Sequence, residues 1–255
     1  MNVFAKYAQY YDLLYKDKEY KKESDFIVDL LREFSPSSKN LLEIGCGTGS
    51  HAALIAESGY SIHGIDVSQD MLDIANIQKS ELIRATQEKL TFSLGDAQDF
   101  AFNYQFDSII SLFHVVSYQT TNENLINMFQ NVSRHLKVGG VFIFDYWYGP
   151  AVLTDRPVVR VKKMESDEMQ VIRIAEPVLY PNENVVNVNY DIFIRDKFSS
   201  AVEQISEAHR MRYLFATEIE QLAHQSGLKL ERSMEWLTGQ APSFDTWGVC
   251  SVLKK

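Results

Sequence analysis

A glycine-rich run follows a short apolar segment near residue 40. Its sequence is Glu43-Ile44-Gly45-Cys46-Gly47-Thr48-Gly49. Glycines at this spacing let the backbone turn sharply and approach a ligand at the start of the next helix. In a dinucleotide site the third glycine of G-x-G-x-x-G accompanies a diphosphate, but Ser50 occupies that position here. The acid at Glu43 favours a ligand with positive charge over one with phosphates.

Acidic residues also follow the next two predicted strands. Asp66 ends the predicted strand 61–66, 21 residues beyond Gly45, where a carboxylate can accept hydrogen bonds from both hydroxyls of a ribose. Asp96 ends the third strand and can meet an adenine amino group. Because ligands of such folds bind at the carboxyl ends of the strands, these acids form one set with Glu43. A helix-capping role is the alternative for Asp66.

Four motifs follow one another over residues 40–147: the glycine run, the stretch from Asp66 to Leu72, Gly95-Asp96-Ala97, and the stretch from Leu136 to Gly140. In combination they resemble the class I S-adenosylmethionine-dependent methyltransferases. The resemblance implies S-adenosyl-L-methionine as the cofactor, whose sulfonium and ammonium groups suit Glu43. A cofactor-binding protein without turnover is the non-enzymatic alternative. The expected cofactor-binding residues are Tyr11, Tyr15, Glu43, Gly45, Cys46, Gly47, Gly49, Asp66, Val67, Met71, Gly95, Asp96, Ala97, Ser111 and Leu112.

His114 and Tyr118 are the candidate catalytic residues, because they follow the predicted fourth strand, 107–112, where an acceptor would meet the cofactor. Methyl transfer needs an aligned nucleophile and, for some acceptors, removal of a proton. Histidine side chains exchange protons near neutral pH, which favours His114 as the general base and Tyr118 as an orienting group. A hydrogen-bonded structural histidine is the alternative for His114. The Pro-Pro-aromatic motif of nucleic-acid amino-methyltransferases is absent from this stretch.

Aromatic residues in three places are candidates for contacts with the acceptor. The N-terminal tyrosines resemble a lid over the cofactor, and the fifth strand ends in aromatic residues that can line an acceptor pocket. The loop 239–247 can close the opening of that pocket. For at least half of the tyrosines, packing on a helix face is the alternative. The expected substrate contacts are Tyr10, Trp147, Tyr148 and Phe244.

Several features together resemble the nucleotide-sugar N-methyltransferases that act on amino-deoxysugars. They are an N-terminal Tyr-Asp-x-x-Tyr, the S-L-F-x-x-V-x-Y stretch at 111–118, the aromatic run at 147–150 and an antiparallel insertion before the last helix. The resemblance implies N-methylation of an amino sugar linked to a nucleotide. In that family the residue matching Tyr118 can be a histidine that assists catalysis, a role that can pass to His114 here. O-methylation of a glycan or another small-molecule precursor is the alternative.

The elements that position these residues alternate between strands and helices up to residue 155. Predicted strands lie near 41–44, 61–66, 90–94, 107–112 and 141–147, and predicted helices near 20–34, 50–58, 69–79 and 123–135. Two terminal strands, predicted near 228–237 and 247–253, return to the same sheet. This order predicts an α/β fold, a doubly wound, mostly parallel seven-stranded sheet of the Rossmann-like class I methyltransferase type. We expect a methyltransferase core with an N-terminal lid at 1–155 and 214–255. Alternating β-branched and aromatic residues predict a small antiparallel insertion at 156–213, which would form part of the acceptor site, and the last helix is predicted at 217–226 with Thr217 as its cap.

The composition limits the expected partners. A net charge of −9 over 255 residues disfavours nucleic acid, whose binding needs a basic face. Cys46 and Cys250 predict two free thiols, and the absence of a dense Cys/His cluster predicts no metal. With no apolar leader and no run of about 18 apolar residues, we expect a cytoplasmic protein without membrane contact. The expected partner is a small-molecule acceptor, and a homodimer can form through an exposed edge of the insertion.

Overall fold

The computed structural model describes residues 13, 14 and 18–255. Its strands are β1 (Asn40–Ile44), β2 (Ser61–Asp66), β3 (Leu90–Leu94), β4 (Phe106–Ser111), β5 (Leu136–Tyr148), β6 (Arg160–Glu165), β7 (Met169–Tyr180), β8 (Val185–Asp196), β9 (Val202–Leu214), β10 (Lys229–Glu235) and β11 (Gly248–Lys254). Its helices are α1 (Tyr20–Phe34), α2 (Ser50–Glu57), α3 (Gln69–Glu81), α4 (Arg84–Gln87), α5 (Asn122–His135), α6 (Gly149–Thr154) and α7 (Ala216–Gln225), and Val115–Tyr118 forms a 3-10 helix.

Seven strands form the central sheet in the order β3-β2-β1-β4-β5-β11-β10. Neighbouring strands are parallel from β3 to β5, and β11 runs antiparallel to both β5 and β10. Successive side chains of β5 point to opposite faces, as the pleat of a strand requires. Val141 and Ile143 pack in the cluster that includes α1 and α2, whereas Phe142 and Phe144 pack in the cluster that includes α5 and α7. Helices therefore cover both faces, which confirms the predicted doubly wound fold.

The antiparallel strands β6 to β9 lie between α6 and α7 in the chain. Each of them pairs with the next over most of its length. The last of them, β9, also pairs in parallel with the end of β5, through Trp147 with Tyr213 and Tyr148 with Leu214. The insertion therefore begins its contact with the central sheet at the carboxyl end of β5, which is the edge where the predicted site lies.

The boundaries of two elements differ from the prediction. The last helix begins at Ala216, so that Thr217 lies in its first turn and does not cap it. The backbone N–H of Phe215 instead donates to the Glu218 carboxylate over 3.4 Å, as the acid of a capping box does. Strand β5 begins at Leu136 and passes through the predicted glycine turn.

Cys46 and Cys250 are both buried and free, which confirms the prediction of two free thiols. Among the helices of the described residues, none combines the length and the apolar character that a membrane span needs.

Candidate active site

A cavity of about 910 Å³ opens at the carboxyl ends of the central strands. Residues of β6 to β9 form another part of its wall. The structure therefore brings residues from the glycine loop, three strand ends and the insertion around one space. The predicted residues that line it are Gly45, Gly47, Asp66, Val67, Met71, Gly95, Asp96, Ala97, Leu112, His114, Tyr118 and Trp147.

Other predicted cofactor residues are buried in the layer that supports this wall. Ser111 donates its hydroxyl to the Ile44 carbonyl over 3.3 Å and so ties the ends of β4 and β1 together. A Cβ on Gly49 would lie 2.8 Å from the Phe92 ring, so this glycine serves close packing of the loop. The residues of this layer are Glu43, Cys46, Gly49 and Ser111.

Tyr148 and Phe244 were predicted as substrate contacts, but neither lines the cavity. Strand side chains alternate between faces, so that Trp147 lines the cavity while Tyr148 packs against the hydrophobic core. Phe244 is 69% exposed on the C-terminal loop. That loop is fixed instead by the Thr154 hydroxyl, which donates to the Phe244 carbonyl over 3.0 Å. The predicted Tyr10, Tyr11 and Tyr15 lie outside the described residues.

The glycine loop needs its glycines for conformation and for space. Gly45 and Gly47 have φ angles of 72° and 54°, in the left-handed region. A Cβ on Gly45 would lie 2.5 Å from a methyl carbon of Val115. Asp66 fixes the loop from β2, because its carboxylate accepts the N–H of Gly47 at 2.8 Å and the N–H of Ser68 at 2.9 Å. A carboxylate has about four lone-pair sites, so Asp66 retains acceptor capacity toward the cavity.

Glu43 lies buried beneath the glycine loop, with 1% of its surface exposed. Its Oε2 accepts no hydrogen bond from any described residue. Burial and, next, the charge of Asp66 raise the pKa of Glu43 to about 8, while the charge of Lys18 opposes this rise. A buried carboxylate without a partner is costly unless a cation comes close. A cation brought close to Glu43 would therefore favour its charged form.

His114 follows β4 with a left-handed backbone, at φ 63°. Asp145 of β5 stabilises this conformation, since its carboxylate accepts the His114 backbone N–H at 3.1 Å and lies 2.7 Å from the ring Nδ1. Burial alone would raise the pKa of Asp145, but the charge and hydrogen bonds of His114 outweigh it and hold that pKa below its usual value. With Nδ1 against the carboxylate, Nε2 is the ring nitrogen left for other contacts.

The insertion contributes a second group of polar side chains to the cavity. Tyr118 Oη lies 2.7 Å from His209 Nδ1, and His209 Nε2 lies 3.2 Å from Glu207 Oε2. The Tyr190 ring packs edge-on against His209 at 5.3 Å between centroids. Arg173 lies on β7, which pairs with the opposite edge of β8, and its guanidinium is 4.8 Å from the centre of the Tyr190 ring.

These insertion residues were not among those predicted from the sequence. The available signal was the strand alternation, which places Glu207, His209 and Met211 on one face of β9. Alternation does not say which face of the insertion turns toward the central sheet. That depends on the pairing of β9 with β5, which the residues of β9 alone do not reveal.

Comparison with known proteins identifies the domain that this site belongs to. The family described as methyltransferase domain matches residues 41–140. A dTDP-3-amino-3,4,6-trideoxy-alpha-D-glucopyranose N,N-dimethyltransferase of Streptomyces venezuelae is 28% identical over 227 residues, 88% of this chain and 91% of the relative. The structure of an S-adenosylmethionine-dependent methyltransferase from Clostridium acetobutylicum is 25% identical, has a TM-score of 0.82 and covers 99% of both chains. This chain is a class I S-adenosylmethionine-dependent methyltransferase.

A second structure, Streptomyces venezuelae DesVI, is 25% identical to this methyltransferase with a TM-score of 0.79, over 96% of this chain and 97% of that one. When bound, S-adenosylmethionine supplies an electrophilic methyl group on a sulfonium. The residues described above fit such a ligand, since Glu43 is a buried acid without a hydrogen-bond partner on Oε2, and Gly47 leaves open space where a Cβ would be. Glu43, the glycine loop, Asp66 and Asp96 are the residues that would hold it.

Replacing Gly45 with alanine should weaken S-adenosylmethionine binding by about 10²-fold. The left-handed backbone costs an alanine about 1–2 kcal/mol, and its Cβ would displace Val115 from the cavity wall. Gly227→Ala is the matched control, because Gly227 has a φ of 70°, has open space where a Cβ would be, and lies outside the cavity. Titration calorimetry measures both affinities, and equal binding by the Gly45→Ala and Gly227→Ala variants would show that the loop has no such constraint.

Proposed function

We propose that this methyltransferase transfers a methyl group to the amino group of a sugar linked to a nucleotide. The observation that carries the proposal is the continuity of the cavity. Cofactor residues at the central strand ends and cationic, aromatic residues of the insertion line the same space of about 910 Å³. The anionic nucleotide part of such an acceptor suits the cationic, aromatic side of the cavity, and its amine can then lie toward the cofactor side.

Two arginines on neighbouring strands support an anionic acceptor. Arg160 of β6 and Arg173 of β7 both line the cavity, although the chain as a whole carries a net charge of −9. Arg173 Nε is buried and has no hydrogen-bond partner among the described residues. Guanidinium groups bind phosphate oxygens with two parallel hydrogen bonds, so these side chains suit a diphosphate. Tyr190 and Trp147 add aromatic surface against which a base or a sugar ring can pack.

The names of three relatives support the same acceptor class. They are described as N,N-dimethyltransferases of dTDP-linked amino-deoxysugars, from Streptomyces venezuelae, Streptomyces fradiae and Saccharopolyspora spinosa. An amine attacks a methyl carbon only when its nitrogen has a lone pair, so the enzyme must favour the neutral amine or remove its proton. His114 and Tyr118 both line the cavity and are the predicted groups for this task.

A screen of nucleotide-linked sugars tests the proposal. We expect the enzyme and S-adenosylmethionine to methylate dTDP-linked sugars that carry an amine, with the new methyl group on nitrogen in the product's NMR spectrum. The matched acceptors carry a hydroxyl in place of the amine and should remain unmethylated. Methylation of the hydroxyl sugars alone would contradict the proposal and favour the O-methyltransferase alternative.

Replacing Arg173 with alanine should raise KM for a dTDP-amino sugar by about 10²-fold, as expected when a charge-assisted contact with phosphate is lost. Turnover at saturation and S-adenosylmethionine affinity should change little, because Arg173 lies on the insertion side of the cavity. Arg195→Ala is the matched control, since Arg195 is exposed on the neighbouring strand β8 and does not line the cavity. If KM rises equally in both variants, the effect is one of overall charge, and Arg173 does not bind the diphosphate.

A further inference from the structure

We propose that His209, oriented by Glu207, receives the acceptor's proton through the hydroxyl of Tyr118. The proposal rests on the proposed function for the amine and assigns the proton acceptor to the insertion instead of to His114. Three side chains from two elements form a continuous chain, and all three line the cavity. Tyr118 ends the 3-10 helix that follows β4, while His209 and Glu207 share one face of β9.

The chemistry of the three side chains determines which atom donates in each hydrogen bond. Glu207 is a carboxylate, which only accepts, so the 3.2 Å contact with His209 Nε2 places a proton on Nε2. In the neutral ring, Nδ1 is then the acceptor, and at 2.7 Å it accepts the Tyr118 hydroxyl proton. A phenolic oxygen that donates its own proton to His209 acts as an acceptor toward an N–H group in the cavity.

The proton transfer balances without any further reactant. The acceptor's N–H bond breaks and its proton passes to Tyr118 Oη, while the hydroxyl proton of Tyr118 passes to His209 Nδ1. His209 becomes an imidazolium, whose charge the Glu207 carboxylate stabilises. The nitrogen lone pair that is released forms the new C–N bond, and the electrons of the broken S–C bond remain on sulfur.

The surroundings of His209 favour this role over a structural one. The groups that face it are Glu207 on its own strand, Tyr118, and the Tyr190 ring of β8, beyond which lies Arg173 of β7. About a third of the His209 side chain is exposed, so it remains accessible while its hydrogen bonds to Tyr118 and Glu207 are in place. His114 differs in its surroundings, since its ring Nδ1 lies 2.7 Å from the buried carboxylate of Asp145 in the central sheet.

The pH dependence of turnover tests the relay, with dTDP-3-amino-3,6-dideoxyglucose as the acceptor. His209→Asn leaves an oxygen near Nδ1 for the Tyr118 hydroxyl but cannot take up a proton. We expect it to lower kcat by about 10²-fold below the pKa of the acceptor amine, with a deficit that shrinks above that pKa because the amine then arrives neutral. Glu207→Gln should lower kcat less, and the double variant should match His209→Asn because the two residues act in one chain.

His224→Asn is the matched control, since His224 is exposed on α7 and does not line the cavity. It should retain the turnover of the unaltered enzyme at every pH. A deficit of His209→Asn that is absent, or that is the same at all pH values, would overturn the relay. If the unaltered enzyme methylates no amino sugar, it is instead the proposed function that fails.

A measurement that needs no acceptor separates these failures. In the complex with S-adenosylhomocysteine, nitrogen-15 NMR of the histidine rings should show His209 with its proton on Nε2. Tyr118→Phe should shift the Nδ1 resonance of His209, and Glu207→Gln should reduce the preference for the Nε2–H form. A His209 ring that carries its proton on Nδ1, or that does not respond to Tyr118→Phe, would overturn the relay whatever the acceptor is.

Discussion

Replacing Glu43 with glutamine should abolish the pH dependence of S-adenosylmethionine binding between pH 6 and pH 8. The pKa of Glu43 is raised to about 8, so near neutral pH this carboxyl is mostly protonated when no ligand is bound. A cation close to the carboxyl favours its charged form and lowers that pKa. Binding at pH 7 should therefore release most of one proton, and affinity should rise by up to about tenfold per pH unit until near pH 8. Above pH 8 it should level off.

Calorimetry in buffers of different ionisation enthalpy measures the proton release directly. The Glu43→Gln variant should release no proton through this site and should bind about 10²-fold more weakly at pH 8, where it lacks the negative charge. Glu57→Gln is the control, because Glu57 is an exposed acid at the end of α2. Proton release of the same size from the Glu43→Gln variant would show that another group titrates on binding.

The same substitution should stabilise the ligand-free enzyme. The pKa of Glu43 lies above the ordinary value of 4.5, so folding favours the protonated form. The stability that this carboxyl contributes is present below pH 4.5 and is lost as the pH rises toward 8. Glutamine removes this loss, and we expect a gain in Tm of about 3 °C or more at pH 8. A gain in stability together with a loss of affinity identifies Glu43 as a residue that is retained for binding.

Local patterns in the sequence predict much of the central fold, for a physical reason. Strand β2 is predicted at its observed bounds, because an apolar strand ending in an acid and followed by a capped helix is specified by near neighbours. The same holds for the glycine run, whose turn needs residues adjacent to one another. Asp66 therefore lies at the cavity, as its position at a strand end implies.

Contacts between distant strands explain what could not be predicted. The left-handed conformation of His114 is stabilised by Asp145, 31 residues later, which accepts its N–H. The Tyr118–His209 contact joins residues that are 91 positions apart. Such pairs depend on the register of β5 with β4 and β9, and strand alternation alone fixes neither. Trp147 and its neighbour Tyr148 point to opposite faces of the strand, so only one of them can line the cavity, and the local sequence does not say which.

Replacing Asp145 with asparagine should destabilise the enzyme by about 3 kcal/mol, which lowers Tm by about 9 °C. Asp145 is fully buried against the ring and the backbone N–H of His114, and breaking a buried pair leaves the remaining partner without compensation. The pKa of Asp145 lies below the ordinary 3.8, so its contribution is present above that pH and is lost as the pH falls through the lowered pKa. The loss in free energy of unfolding that is due to the Asp145 carboxylate should thus be constant from about pH 5 upward.

Denaturant unfolding measures this loss, and Asp107→Asn is the control. Asp107 also has a lowered pKa and a cationic partner, the half-exposed Lys137, and its Oδ2 accepts the backbone N–H groups of Lys39 and Asn40, which an asparagine oxygen can still accept. Loss of the partly exposed ion pair alone should cost less than about 1 kcal/mol. Turnover should fall as well, by about tenfold, because His114 lines the cavity and loses its fixed position. If Asp145 acts through His114, then His114→Ala should cost less in the Asp145→Asn background than in the unaltered enzyme. Additive losses would mean that Asp145 supports the end of β5 independently of His114.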